Sequence, residues 1–116
     1  MQRFHTGHFG IEQGQTVLFS DFEHDGPMWT GKGRRETRAQ VRFREPFQGV
    51  PTVFLAPDMW DFDSHTNQRA DLHAEKVSET GFEIVFRTWG DTRVARLRVS
   101  WLAMGAVAAD EDWTLY

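Results

Sequence analysis

Residues 78–103, SETGFEIVFRTWGDTRVARLRVSWLA, decide the architecture. Phe82, Ile84 and Phe86 alternate with Glu83, Val85 and Arg87, the two-residue period of a strand. Trp89-Gly90-Asp91-Thr92 interrupts the run with a glycine beside turn-forming Asp and Thr. Beyond it, Ala95, Leu97, Val99, Trp101 and Ala103 share one face; Val94, Arg96, Arg98, Ser100 and Leu102 share the other. The stretch predicts two antiparallel strands joined as a hairpin. Val94 and Leu102 beside the arginines predict that the second face is partly covered.

Working outward, residues 1–15 carry three glycines and only weak alternation, and read as an irregular N-terminal arm with Ile11 as its anchor on a neighbour. Thr16–Phe22 is the first strand, followed by a turn-rich loop over 23–35 punctuated by Asp25-Gly26-Pro27, with Met28 and Trp29 tucked inward. Arg38–Arg44 is a strand with Ala39, Val41 and Phe43 facing in, closed by Glu45-Pro46. Thr52–Trp60 is the next, and Pro57 within it marks an edge strand or a bulge. Arg69–Val77 alternates Ala70, Leu72 and Ala74 against Arg69, Asp71, His73 and Glu75; its Ala, Leu, Glu and Lys also suit a helix, but the strands around it favour a strand. The tail 104–116 loses alternation and carries three acidic residues, with Trp113, Leu115 and Tyr116 free to dock on self or partner. Six short strands with turn signals between them, and no long helical pattern, predict one all-β domain over 16–103, a sandwich or small barrel.

A chain of 116 residues can bury roughly two-thirds of the surface its unfolded form exposes, so one core is expected. Ten Phe and five Trp argue against disorder. The formal net charge of -4 speaks against a partner held through phosphates, so no nucleic acid is expected. Without cysteine there is no disulfide framework or thiolate chemistry. No apolar run of membrane-spanning length occurs, so no membrane insertion is expected. Arg3, His5 and His8 lie among glycines rather than before an apolar stretch, so no signal peptide is expected. The compartment stays open: the cytoplasm until release, or an extracellular particle.

Several motifs, in order along the chain, carry a family resemblance. Val41-Arg42-Phe43, Pro46-Phe47, Pro51, Asn67-Gln68-Arg69, Val77-Ser78, Thr80-Gly81-Phe82, Arg87-Thr88-Trp89 and Ser100-Trp101-Leu102-Ala103 together resemble the H-type lectin domain over about residues 38–103. That family includes snail agglutinins, the C-terminal domain of discoidins, and many bacterial and phage-associated proteins; the resemblance points to a member of the last kind. It implies a six-stranded antiparallel β-sandwich that assembles as a homotrimer, sometimes doubled to a hexamer. It also implies a glycan partner, N-acetylgalactosamine or a related sugar, in a groove between subunits. Arg69 matches the arginine that reaches the sugar, and Trp89 the tryptophan before the last strand. Gly90 stands where the snail lectins have a histidine, and Ala95 where they have a tyrosine. The neighbouring subunit's acid falls within residues 30–34, which here read TGKGR.

An indole can stack on the apolar face of a pyranose while arginine donates a fork of hydrogen bonds. Trp89 and Arg69 are thus the leading sugar contacts, with Gly90, Asp91 and Asn67 completing the rim. The plainer reading has Trp89 capping the core and Arg69 paired with an acid. The loop 58–67 spaces Asp58, Asp61, Asp63, His65 and Asn67 as weak calcium ligands, but an EF-hand spacing is absent and a solvated acidic loop is expected, with no metal. No Gly-x-Ser-x-Gly elbow or His-Glu-x-x-His run occurs, so a non-catalytic protein without cofactor is expected. Gly31-Lys32-Gly33-Arg34 lacks the Ser/Thr that follows a phosphate-loop lysine and reads as a basic turn.

Asp71, His73 and Glu75 share one strand face, and Arg96 and Arg98 another. Like charges in a row need opposite charges facing them. The two ladders predict an oligomer interface in which they meet or border a threefold axis; two solvated sheet faces are the alternative. The leading function is an oligomeric glycan-binding module for adhesion. The runner-up is a structural or assembly component, such as a trimeric cap, spike or tail module of a phage-like or secreted particle whose sugar site has decayed.

Overall fold

A computed structural model describes residues 1–4 and 7–109. Among them, six strands run in the order β1 (His8–Phe19), β2 (Arg35–Arg42), β3 (Thr52–Phe62), β4 (Asp71–Glu75), β5 (Gly81–Thr88) and β6 (Val94–Val107). A 3₁₀ turn at Asp21–His24 and the single-turn helix α1 at Pro27–Thr30 separate β1 from β2. Two antiparallel three-stranded sheets, ordered β1-β6-β3 and β2-β5-β4, pack face to face as the expected all-β sandwich. No helix among the described residues is long and apolar enough to cross a membrane.

The predicted hairpin does not form. β5 pairs with β2 and β4, while β6 pairs with β1 and β3, so the turn after Thr88 crosses from one sheet to the other. The physical reason lies in the two apolar ridges. Side by side in one ladder, Phe82-Ile84-Phe86 and Leu97-Val99-Ala103 would lie on the same face and still need a second sheet above them. Facing each other across the core, each covers the other, and all six side chains are buried.

The N-terminal arm also differs from expectation: from His8 onward it is strand, paired with β6 as far as Val107, so both predicted domain boundaries fall inside strands. Gly14 lies opposite Trp101, and a β-carbon there would sit 2.6 Å from the indole, so the glycine is a packing requirement. The predicted first strand ends at Phe19, and Asp21 and Phe22 enter the 3₁₀ turn. The tail residues Trp113, Leu115 and Tyr116 lie outside the described residues. Pro57 sits in edge strand β3, where the register shifts before Met59, so its missing N–H breaks no inner ladder. Residues 71–75 are strand rather than helix, with Leu72 and Ala74 packed on the core.

The predicted charge ladders lie on the outer faces of opposite sheets, and each finds its counter-charges within the chain. On β2-β5-β4, neighbours in register form a three-by-three grid: Glu36, Arg87 and Asp71; Arg38, Val85 and His73; Gln40, Glu83 and Glu75. Arg38 reaches Glu36 and Glu83 at 2.8 Å and Glu75 at 2.9 Å. Its crossing of the sheet covers Val85, which is fully buried although it points away from the core. His73 Nε2 lies 2.5 Å from Glu75, and Arg87 reaches Glu36 at 2.6 Å and Glu75 at 3.2 Å. On the other sheet, Arg96 pairs with Asp61 at 2.9 Å and Arg98 with Asp58 at 2.7 Å. Asp71, His73 and Glu75 therefore do not face Arg96 and Arg98 within a protomer, and neither row needs another protomer to neutralise it.

Candidate functional site

The loops preceding β2, β4 and β6 converge at one end of the sandwich, beyond Arg35, Asp71 and Val94. Two buried threonines clamp the second to the third. Thr88 Oγ1 donates to the Arg69 carbonyl at 2.6 Å. Thr92 Oγ1 donates to the Asn67 carbonyl at 2.6 Å and accepts from the Arg69 N–H at 3.0 Å. Backbone groups that a loop would leave to water are thus paired inside the protein. Asp91 accepts from the Asn67 backbone N–H at 3.3 Å and from its side-chain amide at 3.2 Å. These bonds, the backbone one foremost, hold the Asp91 carboxyl below its ordinary value, with the nearby Arg69 charge acting in the same direction.

The loop before β2 is fastened to the same turn. Gly33 N–H donates to the Gly90 carbonyl at 2.9 Å, and Arg35 Nη2 reaches that carbonyl at 3.3 Å. Arg35 also holds the carbonyls of Gly33 at 3.0 Å and Met28 at 3.2 Å, acting as the central tie of the loop. Gly33, within the 30–34 stretch in which a neighbour's acid was expected, thus lies beside Gly90 of its own chain. Met28 is buried as predicted, and half-buried Trp29 carries the Arg93 guanidinium 4.1 Å above its ring.

The sugar-site candidates fall into two adjoining groups. Asn67, Arg69, Gly90 and Asp91 form one cluster; Gly90 takes a left-handed backbone, φ +70°, and a β-carbon there would lie 3.7 Å from the Arg69 side chain. Trp89 belongs to the neighbouring groove, a cavity of about 630 Å³ that it lines with Arg34, Arg35, Glu36, Asp71, Arg87 and Thr88. Trp89 is 41% exposed and is not among the residues of the core cluster. Arg69 is not part of that lining. Thr88, Thr92, Arg35 and Arg34 were missed in the sequence; the available signal was a threonine at each end of a Trp-Gly-Asp turn.

The acidic loop is dispersed rather than gathered. Asp58 holds Arg98 and, by short hydrogen bonds, Ser100 and Gln15; Asp61 holds Arg96. Asp63 takes Arg93 at 3.1 Å and the His65 N–H at 2.9 Å. Each of these three carboxylates already has an arginine, and among the described residues no group of three or more His, Cys, Asp or Glu is placed to hold a metal ion.

A family model for the H-type lectin domain matches residues 38–104. The chain belongs to the H-type lectin domain family. This lectin domain is 54% identical over 106 residues to a Fuscovulum blasticum protein named ATP synthase subunits region ORF 7, covering 91% of this chain and 92% of that one. It is 36% identical over 75 residues to a discoidin-1 polypeptide of Dictyostelium discoideum, covering 64% of this chain but only 30% of the discoidin. Two solved structures of discoidin II from the same organism superpose with TM-scores of 0.71 and 0.73 at 23% and 22% identity. They cover 83% and 85% of this chain and 36% and 37% of theirs, a likeness that carries the fold. The lectin domain thus spans nearly all of the Fuscovulum relative and about a third of the discoidins. Its fold matches a non-catalytic lectin domain, and the family supports a carbohydrate-binding role in general.

Proposed function

We propose that this H-type lectin domain is a non-catalytic, self-associating carbohydrate-binding module whose sugar lies at the loop end of the sandwich, in a groove completed by a second copy. The observation that carries the reading is Trp89, half-exposed in a lined groove on loops held rigid by Thr88, Thr92 and Arg35. A stacking ring is useful only if its loop does not move, and these ties supply that. Arg69, Asn67, Asp91 and Gly90 adjoin it as polar contacts.

Self-association is supported by the outer face of β1-β6-β3. Phe9, Ile11, Val17 and Phe54 are all exposed there, on a face that in an isolated antiparallel sheet would be polar. Arg96 and Arg98 border this face and belong to the proposed interface, a trimer or its doubled hexamer. Asp71, His73 and Glu75 lie on the opposite sheet, so they would meet the arginines only across subunits.

A glycan array on the purified protein tests the reading, with Trp89→Ala and Arg69→Ala beside the wild type. Each variant should lose most binding while retaining its circular dichroism and oligomeric state, since stacking and charged hydrogen bonds contribute about 1 to 3 kcal/mol each. A ligand-bound structure with the sugar away from both residues refutes the site. An intact oligomer that binds no glycan favours the structural or assembly component, the reading towards which Gly90 and the acid-free 30–34 stretch lean.

A further inference from the structure

We infer that the groove beside Trp89 takes a glycan bearing an anionic substituent, a carboxylate or a sulfate ester. This rests on the carbohydrate-binding reading of the same site and specifies the class of sugar. The groove is about 630 Å³, within the range of small-molecule ligand pockets. Its lining carries three arginines against two acids. Glu36 is already held by Arg38 at 2.8 Å and Arg87 at 2.6 Å, which keep its carboxyl below the ordinary range and its charge neutralised. Asp71 has His73 Nδ1 at 3.4 Å.

Arg34 differs from the other lining arginines. Arg35 is spent on backbone carbonyls and Arg87 on Glu36 and Glu75. Exposed Arg34 makes no side-chain hydrogen bond or ion pair among the described residues, and neither does Lys32 beside it. Both sit on a segment pinned to Gly90 through Gly33, so these charges are presented from a held loop rather than a loose one. An unpaired guanidinium lining the same groove as an exposed indole, in a chain whose formal net charge is -4, is not a consequence of composition. A guanidinium fork matches the two oxygens of a carboxylate or sulfate, while the indole takes the C–H face of the ring. A neutral sugar would use the second and offer the guanidinium only uncharged hydroxyl acceptors, which hold it less strongly.

The test is isothermal titration of the full chain with methyl glucuronide against methyl glucoside, and with galactose 6-sulfate against galactose, at low and at physiological ionic strength. At least one anionic sugar should bind about tenfold more tightly than its neutral partner at low salt, the lower end for one charged hydrogen bond. The gap should narrow as salt rises. Arg34→Ala should remove most of the preference and Arg34→Lys part of it, with both variants folded by circular dichroism. Which pair shows the gap separates carboxylate from sulfate. Equal binding within both pairs overturns the inference and leaves the carbohydrate-binding reading standing; no binding to these sugars or to any on the array overturns both. A preference that survives Arg34→Ala, or inorganic sulfate binding as tightly as the sulfated sugar, also overturns it.

Discussion

Thr92→Val isolates the clamp that shapes the site. The substitution keeps the shape of the side chain and removes one hydroxyl that serves two backbone groups, the Asn67 carbonyl at 2.6 Å and the Arg69 N–H at 3.0 Å. Thr92 is 0% exposed, so water cannot replace the hydroxyl in place. Stranding a buried polar group costs about 1 to 3 kcal/mol. Arg69 is half-buried and Asn67 is exposed, so the loop can swing towards solvent and recover part of that loss. The expected outcome is a loss of about 2 kcal/mol, or roughly 8 °C in a domain of this size. Urea unfolding at fixed protomer concentration measures it, as a lower midpoint with an unchanged slope. Thr52→Val is the control, because its hydroxyl bonds Gln2 at an exposed position; it should shift stability by less than about 0.5 kcal/mol. If Thr92→Val lies as close to wild type as that control, the threonine does not hold the loop. If stability falls but Asn67 and Arg69 amides keep their slow exchange, the loop is held by other groups.

Two further outcomes follow from the sheet faces. Contact with His73 foremost, and then Arg38, lowers the Glu75 carboxyl from 4.5 to about 2, so its charge stabilises the fold above the unfolded value and the gain is lost as pH falls from about 4.5 to 2. Glu75→Gln should therefore melt below wild type at neutral pH and converge with it near pH 2; parallel curves across that window would refute the network's part in acid stability. Phe54→Glu places a charge at a residue 67% exposed on the apolar outer face, and should lower the mass read by light scattering while the melting of the fold survives; an unchanged mass removes that face from the interface.

Strand positions after the first strand were legible because each alternates or ends at a turn residue; partners were not, because a two-residue period reports which face a side chain takes and not what lies beside it. The same gap misplaced the charge ladders. Arg38 reads as one more outward arginine, and only the register that sets Val85 between it and His73 shows it spanning the sheet to Glu75. The glycines of the first fifteen residues read as irregular chain, whereas Gly14 is the space that Trp101 fills. Phe43, Phe47, Phe82 and Trp101 form an aromatic cluster drawn from three separate segments, the loop after β2, β5 and β6, which no local window can join.

The misread turn and the architecture of the site have one cause. A hairpin loop would have placed Trp89 and Asp91 over a single sheet edge. Because β5 and β6 belong to different sheets, the five residues between Thr88 and Val94 must bridge the end of the sandwich. A bridge of that kind has two sides. Trp89 leaves Thr88 towards the groove of Arg34 and Arg87, while Asp91, two residues on, meets Asn67 beside Arg69. Gly90 between them turns at φ +70° and gives its carbonyl to Gly33 and Arg35. The crossover that buries the two apolar ridges thus also sets an indole and an arginine on adjoining surfaces, and the threonines at its ends keep them there.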